Sequence, residues 1–379
     1  MNTQGFAPIL QFGTSRFLQA HVDLFVSDAL KTGQALGKIV VVQTTDSPGS
    51  AQRVAALASG KPYPVKIQGI QHGRPLNEVH WSSSVQQAFH VATEWAALRH
   101  AFVSDIQVVI SNTGDNGYRL DSSDSADLLT PDSQAPKSFP AKLLVLLHDR
   151  WLSNPQASIS IFPCELVARN GDALRDLIVD MATEWELEEA FTQYLFKTCL
   201  WANSLVDRIV SQPIEPIGAV AEPYALWAIE NQPGLKLPCS HPAVVLTDDL
   251  EQFEQLKLFM LNLGHSYLAE RWLTDGRDQY ETVHQAMNDA ELRADLESVW
   301  ADEVLPVFNA MGQHRIAHNY LASVRDRLLN PFLQHRIADI AQNHGEKKRR
   351  RMKPLVELAA RVCPKLAQHR LHGALSSGQ

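Results

Sequence analysis

Cysteine is scarce: Cys164, Cys199, Cys239 and Cys363 are scattered, and no two form a C-x-x-C pair. That spacing suggests neither a zinc site nor a disulfide framework, and leaves reduced thiols in a cytoplasmic protein. No apolar run reaches the roughly 18 residues that a membrane-spanning helix needs. The opening MNTQGFAPILQFG has no basic stretch ahead of an apolar core, so no secretion signal is expected. Positive charge is not in excess. With 34 Lys and Arg against 42 Asp and Glu, the net charge of −8 is opposite to the footprint of a nucleic-acid binder. No internal repeat is apparent. What remains is an ordinary globular composition, 45% hydrophobic and 20% charged, over 379 residues, which suggests two domains rather than one core.

One stretch mixes apolar and polar character in a way that asks for chemistry. Residues 251–270 (EQFEQLKLFMLNLGHSYLAE) read as a largely apolar helix with Lys257, Asn262 and His265 in its middle. At about 100° per residue, Asn262 lies roughly 140° and His265 roughly 80° round from Lys257. The three share one side of the helix over roughly 12 Å. A lysine among Leu256, Leu258, Phe259, Met260 and Leu261 is costly to bury as an ammonium, which would push its pKa down and suit it to accept a proton. An amide and an imidazole alongside can hold a hydroxyl or carbonyl oxygen. The alternative is a surface helix with a snorkelling lysine and a satisfied core histidine.

The first half reads as alternating strands and helices. Residues 7–12 (APILQF) form a strand, Gly13-Thr14-Ser15-Arg16 turns into a helix running to about Leu36, and residues 38–43 (KIVVVQ) form a second strand. That is the opening of a dinucleotide-binding fold, although the turn has one glycine where G-x-G-x-x-G has three. Asp46, after the second strand, would accept hydrogen bonds from ribose hydroxyls and favour NAD over NADP; it also fits a plain turn. Residues 105–111 and 158–162 add strands, 120–137 a polar loop, 138–152 and 173–181 helices. Prolines at 213, 216, 223, 233, 238 and 242 mark a crossover. Beyond a short strand at 244–246, three- and four-residue apolar spacing predicts helices over 281–287, 290–300, 304–311, 316–329, 331–343 and 353–371. The expected fold is an α/β Rossmann-type N-terminal domain (1–210), a crossover (211–243) and a mainly α-helical C-terminal domain (244–379).

K-x4-N-x2-H inside a leucine-rich helix resembles the signature of the polyol-specific long-chain dehydrogenases, the mannitol dehydrogenase family. FGTSRFLQAHVDLFV, SNT-x-x-x-G, FPAKL, PCEL-x3-NGDALR and N-x2-VDRI are similar to that family too, closest to its tagaturonate reductases (altronate oxidoreductases). The resemblance covers nearly the whole chain. Ser15 stands where relatives commonly carry a second glycine, the crossover after Val210 is shorter than in tagaturonate reductases, and the compact length is more like that of mannitol-1-phosphate 5-dehydrogenases. The resemblance implies an NAD-dependent enzyme without a metal, acting on a sugar acid or polyol. Phe12, Gly13, Thr14, Ser15, Arg16, Phe17 and Asp46 would then hold the cofactor, with Asn112 and Thr113 near the nicotinamide ribose. Lys257 would be the acid–base group, Asn170 and Asn262 would bind the reacting oxygen, and His265 would orient a neighbouring hydroxyl. Lys347, Asn330 and His335 would touch substrate, and Glu254 would relay the lysine's proton. As alternatives, Asn170-Gly171 is a common turn pair and the 347–351 basic run a solvated face. No nucleic-acid or membrane partner is expected, and the chain would be a monomer or weak homo-oligomer. An alternative of another class is a nucleotide-binding sensor without catalysis.

Overall fold

The computed structural model describes residues 7–44, 48–114 and 116–377; Asp46 lies outside them. The chain divides into two units, one of residues 1–67, 78–221 and 225–250, the other of residues 68–77, 222–224 and 251–379.

The first unit is built on a six-stranded parallel sheet. Its strands come from β1 (Ile9–Phe12), β2 (Ile39–Gln43), β5 (Val85–His90), β6 (Val108–Ser111), β7 (Ile159–Pro163) and β8 (Cys199–Trp201), in the order β5-β2-β1-β6-β7-β8. Strands β1, β2, β6 and β7 are buried at every residue, which is why they read as continuous apolar runs rather than alternations. Helices α1 (Arg16–Ala20), α2 (Val22–Lys31), α3 (Pro48–Ala58), α4 (Val91–Ser104), α5 (Phe139–Ser153), α6 (Asn170–Glu184) and α7 (Glu189–Lys197) make the connections. The order reverses between β1 and β6, and Gly13 and Asn112 follow those two strands. In an open parallel sheet this switch point is where ligands bind.

Gly13 is obligatory there for a local reason. Its φ is +115°, and a Cβ would stand 2.5 Å from the Asn112 carbonyl oxygen. Gly13→Ala is therefore expected to destabilise the first unit by roughly 2 kcal/mol or more, read as a drop of several degrees in its thermal midpoint. An unchanged midpoint would mean that the β1–β6 approach is looser than drawn.

Several elements differ from the sequence reading. The helix expected to run to Leu36 breaks at His21 and ends at Lys31, where Gly33 takes a φ of 69°. The crossover expected over 211–243 contains short strands as well as irregular chain. β9 (Ser204–Asp207), β12 (Leu226–Glu230) and β13 (Val244–Thr247) form a three-stranded sheet. β10 (Val210–Pro213) and β11 (Ala219–Ala221) join β3 (Tyr63–Gln71) and β4 (Arg74–Ser82) in a four-stranded one. The prolines sit at strand ends and between strands, where no ladder hydrogen bond is lost. The β3–β4 hairpin turns on His72 and Gly73, both at positive φ, as a two-residue hairpin loop requires.

In the second unit, helices α8 (Leu250–Leu256) and α9 (Leu263–Thr274) flank a π turn at Lys257–Asn262. Next come α10 (Val283–Asn288), α11 (Ala290–Ser298), a second π turn (Val299–Val304), α12 (Leu305–Ala310), α13 (His314–Leu328), α14 (Ile337–Ile340), α15 (His344–Arg351), α16 (Lys353–Val362) and α17 (His369–Ser376). Local chemistry sets the starts: Thr282 and Gln285 form a capping box on α10, and the Asp289 carboxylate caps α11. The helix expected over 331–343 shrinks to α14. The Phe332 amide turns back to the Asn330 side chain, and Val283 donates to the His335 carbonyl, which holds the stretch extended. The helix expected over 353–371 splits before Pro364. Residues 68–77 and 222–224 are tied in by polar contacts. Arg327 pairs with Glu222 at 2.9 Å, both buried, while its guanidinium lies 4.4 Å over the Tyr224 ring. Asp326 accepts from the Gly73 amide at 3.2 Å.

Candidate active site

The candidate residues fall into two groups, one in each unit. In the first unit, the end of β1 leads through Gly13 and Thr14 to Ser15, which caps α1 by accepting from the Leu18 amide at 3.2 Å. Gln19 donates its amide to the Ser15 carbonyl, so the Arg16 and Phe17 N–H groups have no acceptor among the described residues. Arg16 is exposed and Gly13, Ser15 and Phe17 are half-buried, so this cradle is reachable by a ligand. Two free N–H groups at a helix start, at the sheet's switch point, suit the pyrophosphate of a dinucleotide. The side chains of Phe12 and Thr14 face elsewhere. Phe12 packs in the core 5.1 Å from Phe139, and Thr14 Oγ1 donates to Gln43 Oε1 at 2.6 Å. Phe17 stacks on His21 with ring centres 4.7 Å apart.

The loops after β6 and β7 are tied to that turn. Ser15 Oγ donates to Asn112 Oδ1 at 3.2 Å, and Asn112 Nδ2 donates to the Cys164 carbonyl at 2.7 Å. Beneath them lies Glu165, a residue that sequence reasoning missed. It is 4% exposed and accepts from Ser111 Oγ, the Thr113 amide and Thr113 Oγ1 at 2.9–3.0 Å. Burial pushes its carboxyl pKa up, against those hydrogen bonds. The only signal in the sequence was a carboxylate directly after an apolar strand.

Asn170 opens α6 instead of forming the turn that Asn-Gly suggests. Gly171 allows this, because a Cβ there would meet the Ala202 backbone at 2.6 Å. The Asn170 amide is buried. Nδ2 donates to the Pro163, Glu165 and Ser204 carbonyls, and Oδ1 accepts from the Ser204 amide. Each of its side-chain polar atoms thus already has a backbone partner.

In the second unit, the π turn changes the geometry of the lysine helix. The Leu263 N–H reaches back five residues to the Leu258 carbonyl. A π turn takes in one residue more than an α turn, which rotates the residues beyond it by roughly 100° relative to a continuous α-helix. Asn262 then stands roughly 40° and His265 roughly 20° from Lys257, in line along one face, closer than ideal α geometry allows. Lys257 and Asn262 are half-buried, His265 is buried, and Leu256, Phe259, Met260 and Leu261 hold the helix against the core. The turn is pinned from the second π turn, where buried Trp300 donates Nε1 to the Met260 carbonyl at 3.2 Å. Gly264 lets that indole approach, since a Cβ would stand 2.9 Å from its ring.

The remaining candidates lie in the same unit. The His335 ring stands edge-on to His265, 5.1 Å between centres; burial lowers its pKa, opposed by Asp339 and assisted by Lys347. Lys347 Nζ donates to the Ile340 carbonyl at 2.8 Å, and burial with nearby Arg351 lowers its pKa. The basic run is therefore not one solvated face. Lys348 is buried against Glu270 at 2.9 Å, Lys347 and Arg351 are half-buried, and Arg349 and Arg350 are exposed. Asn330 is 4% exposed and donates to the Gln68 carbonyl at 3.2 Å, a bond to the β3 hairpin. Glu254, on α8, lines a cleft of about 270 Å³ with Gln255, Leu258, Pro354 and Arg361. Among the described residues, no group of three His, Cys, Asp or Glu side chains could hold a metal.

A parallel-sheet unit with a dinucleotide-type switch point and a helical unit carrying the Lys-Asn-His face define the class of two-domain, nucleotide-linked dehydrogenases. The mannitol dehydrogenase Rossmann domain matches residues 7–238 and the mannitol dehydrogenase C-terminal domain matches residues 249–368. The chain belongs to the mannitol dehydrogenase family. It is 31% identical to an altronate oxidoreductase of Klebsiella pneumoniae subsp. pneumoniae over 97% of this chain and 76% of that one. It is 28% identical to the altronate oxidoreductase of Bacillus subtilis over 94% and 75%. In fold it is similar to substrate-free D-sorbitol dehydrogenase (TM-score 0.79, 20% identity, 97% of this chain and 78% of that one). It is also similar to Pseudomonas fluorescens mannitol 2-dehydrogenase in ternary complex with NAD and D-mannitol (TM-score 0.70, 18% identity, 98% and 79%).

Proposed function

We propose that the protein interconverts a sugar acid with its keto acid, in the manner of the altronate oxidoreductases to which it is similar. Membership of the family makes it an NAD-dependent dehydrogenase of a polyol or sugar acid. Bound at the β1–α1 turn, NAD supplies the hydride acceptor. The chain's own residues do the rest. Lys257 takes the proton of the reacting hydroxyl during oxidation and returns a proton to the alkoxide during reduction. Asn262 donates to the reacting oxygen as negative charge develops, with Asn170 joining through one exchanged bond. His265 orients a neighbouring hydroxyl, and His335 and Lys347 line the far side of the substrate. Asn330 acts through the β3 hairpin it holds, and Glu254 relays the lysine's proton to solvent. No step requires a metal, because the lysine does the acid–base work.

What supports this reading is the π turn at Lys257–Asn262, which by helix geometry brings Lys257, Asn262 and His265 toward one face. A binding module that does no chemistry has no need of that alignment. Among the described residues no helix is long and apolar enough to cross a membrane, and we take the protein to be a cytoplasmic enzyme, monomeric or weakly self-associating.

The test is a panel of D-altronate, D-mannitol and mannitol 1-phosphate assayed with NAD by NADH absorbance. D-altronate should lead by about 100-fold in kcat/KM, as expected where a site holds a polar group that the analogue lacks or replaces. A preference for either polyol substrate would overturn the acid reading. Calorimetric NADH binding with no turnover of any substrate would overturn catalysis itself.

A further inference from the structure

The five basic residues at 347–351 do not have equal partners. Lys348 has Glu270, and Arg350 reaches Glu346 at 3.6 Å. Arg349 is exposed to solvent. Lys347 and Arg351, one turn apart on α15, are half-buried, and neither has a carboxylate within ion-pair distance among the described residues. Among the described residues, Arg351 acts on Lys347 and Arg350 acts on Arg351, while Asp339 acts on neighbouring His335. Two half-buried cations that repel one another without a counter-ion are an unfavourable arrangement in the free protein, and an anion would relieve it.

Arg351 is also placed against the reacting face. Its Nη1 donates to Ser266 Oγ at 3.1 Å and contacts the Asn262 carbonyl at 3.5 Å. Its Nε and Nη2 have no partner among the described residues, which leaves one edge of the guanidinium open. That edge presents two parallel N–H groups, the geometry that matches the two oxygens of a carboxylate.

We infer that Arg351, with Lys347 beside it, receives the carboxylate of the substrate and makes this protein selective for sugar acids over neutral polyols. The inference rests on the dehydrogenase reading above and assigns to Arg351 the acid specificity within it.

The experiment compares wild type with Arg351→Met, Arg351→Lys and Ser266→Ala, using D-altronate and D-mannitol as probes in steady-state assays. Arg351→Met should lose about 100-fold in kcat/KM on D-altronate, mostly in KM, and change by less than about 3-fold on D-mannitol. Arg351→Lys should recover about 10-fold of that loss by keeping the charge without the fork. Ser266→Ala, which removes Arg351's hydroxyl partner and leaves the guanidinium, should change either substrate by less than about 3-fold. Equal losses on both probes in Arg351→Met would make Arg351 a brace for the π turn and overturn the inference, as would no loss on either. If wild type turns over neither probe, the altronate reading of the activity fails. The inference is then decided by the thermal midpoint with D-altronate, where a rise in wild type absent from Arg351→Met supports it and equal behaviour overturns it.

Discussion

Lys257→Ala is expected to lower kcat by about 10³-fold while NADH affinity stays within about 2-fold of wild type. The separation follows from the architecture. The proposed dinucleotide cradle is Gly13, Ser15 and the start of α1, in the first unit. Lys257 stands in the second, on the π turn between α8 and α9. In the proposed mechanism, removing the amine takes away the group that carries the proton of the reacting hydroxyl. Asn262 does not titrate, and His265 is buried against His335 and lies two turns away. The loss should fall on kcat and kcat/KM together, because the proton moves in the transition state. Added methylamine should restore part of the rate, since a small amine can enter the volume the side chain leaves. Near-normal turnover in the alanine variant, or loss of NADH binding alongside activity, would remove Lys257 from the mechanism.

How much of this was legible in the sequence depended on whether the signal was local. The β-branched runs IVVVQ and ISIFP announced buried parallel strands, and the structure places β2 and β7 there. The β3–β4 hairpin was overlooked although β3 alternates buried and half-buried residues, because its alternation mixes Lys66 and Gln68 with apolar residues. The π turn could not be read. Leu258 to Leu261 are all apolar, so the run carries no phase information, and 100° per residue was the only available assumption. What fixes the turn is Trp300, forty residues away, in a second π turn. Arg351 was hidden for a similar reason: a basic run looks solvated until the packing shows which of its members face inward. Asn170 and Asn330 were legible as special residues but not as residues whose amides already have backbone partners.

The second large effect concerns stability and involves two buried groups in the first unit. His21 is fully enclosed, with Nε2 toward the Leu226 carbonyl, and burial pushes its pKa down from 6.5 to about 3. Asp23 is equally enclosed, accepts from Tyr63 Oη at 2.6 Å, and burial raises its pKa from 3.8 to about 7. The signs oppose. His21 contributes stability above its unfolded pKa that is lost as pH falls toward the folded one. Asp23 contributes stability below its unfolded pKa that is lost as pH rises toward the folded one. Between 3.8 and 6.5 the unfolded chain carries the proton on histidine and the folded chain carries it on aspartate, so the pair binds the same number in both states. Their combined contribution is flat across that window, and single substitutions uncover the slopes. Asp23→Asn keeps an acceptor for Tyr63 and removes one slope. Relative to this variant, wild type should lose on the order of 4 kcal/mol as pH rises from about 4 to about 7. His21→Gln should expose the opposite trend, with wild type losing stability relative to the variant as pH falls below about 6.5. Thermal midpoints of the three proteins, measured side by side across this range, decide the matter. A wild-type-minus-variant difference that does not move with pH in either pair would mean that these groups titrate in the folded chain as they do in the unfolded one.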